Sequence, residues 1–174
     1  MIGYPPKPTS FLPNEEEFNA EEWIGQPKYR GWRAVVTSNN IVYTRHNNVV
    51  PIEVSYKPTK DLGLYQLDGE IINPHRHTEY GVRRAIIEGT WKLKIFDIYI
   101  SSKNYTLDER MEILNNYFNI YPIHFYINEY NDIFRLRNHC KSHGFEGIVI
   151  KKRNSLYKIS KHISIIDPDW VKLR

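Results

Sequence analysis

The stretch Gln26-Pro27-Lys28-Tyr29-Arg30-Gly31-Trp32-Arg33 constrains the chain more than any other. Pro27 fixes its own φ and removes one backbone donor. Gly31 permits a tight turn, or the close approach of a ligand to the backbone. The run that follows, residues 32–36, is rich in β-branched and aromatic side chains and reads as a strand. Lys28 is therefore held between rigid punctuation at the mouth of a strand. A lysine fixed in this way is a candidate nucleophile, because a rigid element sets where its amine points. A surface lysine beside a turn is the plainer reading of the same residues.

The rest of the chain alternates strands and helices. Pro5, Pro6, Pro8 and Pro13 predict an extended arm over residues 1–13. Asn14 before three glutamates predicts a short helix near 15–23, with Asn14 as N-cap and Glu17 at N3. Residues 33–37 and 41–45 predict a hairpin closed through Ser38-Asn39-Asn40, and Asn47-Asn48 a further turn. Strands are expected over 65–72, 91–100, 122–127, 146–152 and 170–174. Helices are expected over 79–88, behind the Thr106-x-x-Glu109 capping box, and near 131–143 with Gly144 at C′. A basic connector covers 153–165. No repeat or linker divides the chain, and the order of elements predicts an α+β fold, antiparallel β-sheets packed with helices.

Charge narrows the class of partner. The formal net charge is +4 and the pI about 9.0, which permits a polyanionic partner without requiring one. The charge is uneven: residues 1–27 hold Lys7 against five glutamates, whereas residues 141–174 hold eight basic side chains against three acidic ones. The basic end is read as a phosphate-contacting surface; of Lys151 and Lys152, which face opposite ways on a strand, one is plain surface. A single cysteine, Cys140, excludes an internal disulfide and reads as a small core residue. His75, His77, His139 and His143 lack a tight ligand spacing and read as surface. No apolar run approaches membrane-spanning length and no signal pattern opens the chain. The expected setting is cytoplasmic, or the host cytoplasm for a viral source, with no membrane partner.

Five short motifs follow in order: Lys28-Tyr29-Arg30-Gly31-Trp32-Arg33; Tyr43-Thr44-Arg45-His46-Asn47; Leu67-Asp68-Gly69-Glu70-Ile71-Ile72; Ile95-Phe96-Asp97-Ile98-Tyr99 with Leu107-Asp108-Glu109-Arg110 behind it; and Gly144-Phe145-Glu146-Gly147-Ile148-Val149-Ile150-Lys151 with Asp169-Trp170-Val171-Lys172-Leu173-Arg174. The ordered set resembles the nucleotidyltransferase (adenylation) domain of ATP-dependent DNA ligases, from about residue 14 to the last residue. The resemblance implies the DNA ligase/mRNA capping enzyme adenylation-domain fold, ATP-grasp-like, over residues 1–174 as one domain with a proline-rich arm.

The chemistry asks for these residue types independently. A lysine that attacks the α-phosphate of ATP must give up its proton, which nearby cations and desolvation favour. The leaving pyrophosphate and the transition state need cations around the phosphate. A carboxylate is needed to hold Mg²⁺, and an aromatic face can grip the purine. By resemblance, Lys28 becomes lysyl-AMP, and Arg33 and Arg45 contact the ribose and the nick phosphate. Glu70 faces the ribose or a metal, Phe96 stacks on adenine, and Glu146 binds the catalytic metal, Mg²⁺ or Mn²⁺. Lys172 holds the α-phosphate, with Arg174 beside it in the same motif. The amide oxygen of Gln26 is placed to accept a hydrogen bond from the adenine amine. The plainer readings are a turn-flanking carboxylate for Glu70, core for Phe96 and a solvated strand end for Glu146.

The implied activity is an ATP-dependent DNA ligase acting as a monomer on nicked double-stranded DNA. Two alternatives share part of the pattern: an RNA ligase or GTP-using capping enzyme, and a non-catalytic nucleotide- or DNA-binding relative. Three positions depart from the family. Arg30 stands where the family has Asp, occasionally Asn. Thr44-Arg45-His46-Asn47 replaces Ser-Arg-x-Gly, a turn that Asn tolerates. Arg174 replaces a second lysine and keeps the charge with a different geometry. The family follows Lys172 with an OB-fold domain that this sequence does not contain; the expectation is either an excised catalytic domain, or a separate OB-fold or clamp partner on another chain, or a protein that works without one.

Overall fold

Alternation along the strands decides which side chains meet helices and which meet each other. The computed structural model, which describes residues 2–75 and 78–174, contains β1 (Lys7–Thr9), β2 (Trp23–Lys28), β3 (Trp32–Thr37), β4 (Val42–Thr44), β5 (Tyr65–Ile72), α1 (Glu79–Glu88), β6 (Lys92–Ile100), α2 (Leu107–Phe118), β7 (Phe125–Tyr126), α3 (Asp132–Ser142), β8 (Gly147–Lys152) and β9 (Ile166–Leu173). They form two sheets, ordered β1-β9-β8-β2-β7 and β4-β3-β5-β6. The β1–β9 pair is parallel and the others are antiparallel.

Each sheet buries its apolar positions on a face covered by helices. In the second sheet Ala34, Val36, Leu67, Ile71 and Ile98 pack with Val82 of α1 and with Met111 and Leu114 of α2. In the first, Trp23, Ile148, Ile150, Val171 and Leu173 pack with Ile133 and Cys140 of α3. The intervening positions, among them Gln26, Lys28, Lys151 and Lys172 on one sheet and Arg33, Asp68 and Glu70 on the other, form the opposite faces. Bonds such as Gln26 Nε2 to the Phe96 carbonyl (3.2 Å) and Lys151 Nζ to Asp97 Oδ2 (3.0 Å) join these faces across the gap. These faces thus meet each other, and most of each core lies on the far side of its sheet, while Ile24 on the inner face of β2 joins the core of the second sheet.

The hairpin, the 65–72 strand and the capping box stand as expected: Thr106 Oγ1 accepts from the Glu109 N–H, and Glu109 accepts from the Thr106 N–H. Gly144 takes a left-handed φ of 85° just past α3. Three expectations change. Residues 15–23 make two 3₁₀ turns instead of one helix. Neither turn buries a residue, and Asn19 accepts from the Glu21 N–H to start the second, while Asn14 makes no side-chain cap. The 122–127 strand shrinks to Phe125–Tyr126, because Pro122 has no N–H to donate to a ladder. The last strand begins at Ile166, ahead of Pro168. Its pairing with β1 jumps from Pro8↔Asp167 to Thr9↔Val171, so Pro168 sits in an irregular stretch that needs no donor there. The arm is extended as expected: Lys7–Thr9 pair as β1, and Pro5 and Pro6 are buried. His75, His139 and His143 are exposed and Cys140 is buried; His77 lies outside the described residues.

Candidate active site

Strand register builds the site row by row. Across the first sheet, Lys28 opposes Gly147, Gln26 opposes Val149, and Val149 opposes Lys172. Just beyond the ladder the Glu146 N–H donates to the Lys28 carbonyl at 2.8 Å, which fixes the two side chains as neighbours. Lys28 Nζ is ion-paired with Glu146 Oε2, and Arg174 Nε meets Glu146 Oε1 at 2.5 Å. Gly147 has φ 156°, and a Cβ there would lie 1.9 Å from the Leu173 carbonyl oxygen. A Cβ at Gly31 would lie 2.1 Å from the Ile71 carbonyl oxygen. Both glycines are thus required by the close backbone approach that sets Lys28 in place.

Between the polar faces lies a cavity of about 490 Å³. Gln26, Lys28, Arg33, Arg45, Glu70, Phe96, Lys172 and Arg174 all line it; Glu146 reaches it through its partners Lys28 and Arg174. Phe96 owes its position to a β-bulge. Asp68 opposes Asp97 and Gly69 opposes Ile95, so Phe96 is the extra residue on β6. Gln26 donates its amide N–H to the Phe96 carbonyl, which leaves Gln26 Oε1 as the acceptor beside an aromatic face.

The electrostatics divide the charged residues into two groups. Arg33 is committed inside the protein: Nε and Nη2 meet the two oxygens of Asp68 at 2.9 and 2.5 Å, and Nη1 donates to the Pro6 carbonyl at 2.6 Å. Burial opposes its charge, yet Asp68 more than offsets this and raises its pKa. Asp97 is fully buried between Arg110 and Lys151, and those two cations overcome the cost of burial and hold its pKa low. Lys151, lowered by burial against the pull of Asp97, sits 3.8 Å from the Trp170 ring centre. Glu70 differs. Burial pushes its pKa up to about 7, although Lys28 and Arg33 pull it down. By contrast Lys7, Arg45 and Lys172 make no ion pair among the described residues, Arg45 donating only to His46 Nε2 at 3.1 Å, so three cations at the cavity have no carboxylate partner.

By sequence the chain is 31% identical over 178 residues to the SPbeta prophage-derived DNA ligase-like protein LigB of Bacillus subtilis (strain 168), covering 91% of this chain and 63% of that protein. No family model matches the chain. Among solved structures, a Lig E DNA ligase, described as binding DNA with a minimal scaffold, superposes with a TM-score of 0.77 at 15% identity, over 100% of this chain and 69% of that one. Chlorella virus DNA ligase-adenylate superposes with a TM-score of 0.71 at 19% identity, over 100% of this chain and 69% of the other. The chain has the fold of the adenylation domain of ATP-dependent DNA ligases.

Within this adenylation-domain fold, every residue singled out from the motifs is at the cavity or paired with a residue that is. Arg30 is exposed and does not line it. The supporting charges Asp68, Asp97, Arg110 and Lys151 are marked only weakly in the sequence. The available signal was alternation: Lys151 shares the face of Val149 and Gly147, which points it at the cavity. Among the described residues no group of three or more metal-ligating side chains converges. Glu146 and Glu70 offer hard oxygen donors, which fits a Mg²⁺ that arrives on a polyphosphate and keeps water ligands better than an all-protein cage.

Proposed function

We propose that this chain is an ATP-dependent nucleotidyltransferase of the DNA-ligase type. One observation carries the reading: a lysine paired with a carboxylate at the rim of a cavity that also presents an aromatic face and uncommitted cations. Phe96 stacks on the adenine, and Gln26 Oε1 accepts from its amine. This amide orientation favours adenine over guanine, whose O6 would meet Oε1 as acceptor against acceptor. The deprotonated Lys28 Nζ attacks the α-phosphorus, the bond to the bridging oxygen breaks, and pyrophosphate leaves with that electron pair. Glu146, already on Nζ, is placed to hold the departing proton, while Lys172 stabilises charge on the α-phosphate. Glu146 and Glu70 would hold a Mg²⁺, which would supply further charge neutralisation there. A 5′-phosphate oxygen at a DNA nick then attacks the adenylate phosphorus, the P–N bond breaks and Lys28 leaves with that electron pair and regains a proton; the 3′-hydroxyl, giving up its proton, attacks the 5′-phosphorus, and AMP leaves as the phosphodiester forms.

The chain spans 63% of the length of its bacterial relative. The protein is incubated with α-labelled ATP or GTP and Mg²⁺, and acid-labile, covalently bound nucleotide is sought. Labelling by ATP and its loss in Lys28→Ala are expected. Labelling by GTP alone would support the capping alternative, and no label a binding module.

A further inference from the structure

The N-terminal arm is built into the site. Gln66, fully buried on β5, clasps it: Oε1 accepts from the Ile2 and Gly3 N–H groups at 3.2 and 3.4 Å, and Nε2 donates to the Gly3 carbonyl at 3.1 Å. Tyr4 and Ser160 exchange backbone bonds of 2.7 and 3.2 Å, and the Lys7 N–H donates to the Ile165 carbonyl at 2.7 Å. The Pro6 carbonyl takes Arg33 Nη1 at 2.6 Å. The next two residues, Lys7 and Pro8, line the cavity. So the arm bridges both sheets and delivers one cation to the rim.

Seven cations line the cavity. Lys28 and Arg174 are held by Glu146, Arg33 by Asp68 and Lys151 by Asp97. Lys7, Arg45 and Lys172 carry no carboxylate partner among the described residues, and their charges are left for an incoming anion. Arg45 and Lys172 were expected at the site. Lys7 was not, because an arm of four prolines gives no sign of where it packs. We propose that Lys7 is a phosphate-binding residue of this cavity, held at the rim by the Gln66 clasp and by β1–β9 pairing. The inference goes further than the proposed function and rests on it only for which phosphate is engaged, that of ATP or that of a DNA end.

Binding of ATP, of pyrophosphate and of nicked duplex is titrated separately by tryptophan fluorescence, across 20–200 mM salt, in wild type, Lys7→Ala and Lys7→Arg. Loss of one charge-assisted contact predicts weakening by about tenfold for the ligand whose phosphate Lys7 holds, largely restored in Lys7→Arg. The salt slope for that ligand falls by about one. An effect on ATP and pyrophosphate assigns the triphosphate, and an effect confined to DNA assigns the DNA phosphate. Melting temperature reads the arm separately, and Gln66→Ala is the control that loosens the clasp. Equal affinities and slopes in Lys7→Ala for all three ligands would overturn the inference, as would a wild type that binds none of them. If Lys7→Ala weakens phosphate binding while wild type forms no covalent nucleotide, the inference stands and the ligase reading falls.

Discussion

Glu70 gives the most quantitative handle on this site. Burial moves its pKa from 4.5 to about 7, against the pull of Lys28 and Arg33 and a bond from the Gly31 backbone. Folding therefore retains a proton that the unfolded chain releases between those values. Below pH 4.5 both states are protonated and Glu70 costs nothing. Between 4.5 and 7 the folded state binds more protons, so stability falls as pH rises, and above 7 the loss is complete. At about 1.4 kcal/mol per pH unit the full loss is roughly 3 kcal/mol. Glu70→Gln keeps the shape and the acceptor for Gly31 but never ionises. The two proteins should be equally stable near pH 4.5, and the variant more stable by roughly 3 kcal/mol at pH 8. Urea unfolding followed by tryptophan fluorescence at pH 4.5, 6 and 8 measures the difference, and all other titrations cancel in it. Midpoints that run parallel across the range would refute the burial account. A wild type that gains on the variant as pH rises would reverse its sign and place Glu70 in a site that favours the carboxylate.

Lys28→Ala should abolish covalent AMP with little change in melting temperature, since the side chain is partly exposed and Arg174 still holds Glu146; adenylate mapped to another lysine would contradict the assignment. Glu146→Gln releases Lys28 and Arg174 from their shared carboxylate, so metal-free ATP should bind more tightly while adenylate forms more slowly, a split readable by calorimetry beside a labelling time course. Gly31→Ala should destabilise by more than about 3 kcal/mol in a thermal melt, because its Cβ would lie 2.1 Å from a backbone oxygen that cannot move alone. Asp97→Ala leaves Arg110 and Lys151 buried without their anion and should cost roughly 3–5 kcal/mol in urea unfolding; replacing all three by apolar residues should recover much of it.

Much of this was legible because punctuation and period agree. Thr106 and Glu109 announce a helix start, and the 65–72 run alternates cleanly, so Glu70 could be placed on the face opposite Leu67 and Ile71. The motif residues converge because the fold aligns Lys28, Gly147 and Val149 with Lys172 across neighbouring strands. What stayed hidden depends on contacts far apart in sequence. No local rule pairs Arg33 with the Pro6 carbonyl, or Lys151 with Asp97, which is 54 residues away. Three glutamates after Asn14 read as a helix start, yet with nothing to bury the segment settles into two short turns. The arm was read correctly as extended, but proline content alone says nothing of where an extended segment docks.

The placement of charge follows from the layering. Each sheet satisfies its apolar face against helices, so the facing surfaces are free to be polar, and the gap between them is lined from both sides by charged groups. A charged seam inside a protein is tolerable only when the charges are matched. At the deep end they are: Arg110, Lys151 and Asp97 are shut from solvent and bonded to one another. Nearer the rim, Arg33 is bound by Asp68, and Tyr157 donates to that same carboxylate at 2.6 Å. At the rim itself Lys28 and Arg174 share one carboxylate and three cations have none. On the proposed reading, a nucleotide entering there exchanges carboxylate for phosphate around cations that are already in place. That exchange asks for little new desolvation, because a paired charge remains paired, and the rigid deep network holds Phe96 and Arg33 still while it happens. On that reading stability and function are separated by depth: substitutions at Asp97, Arg110 or Lys151 act on folding, those at Lys28 or Glu146 on the exchange, and those at Lys172 on a cation that has no carboxylate to give up.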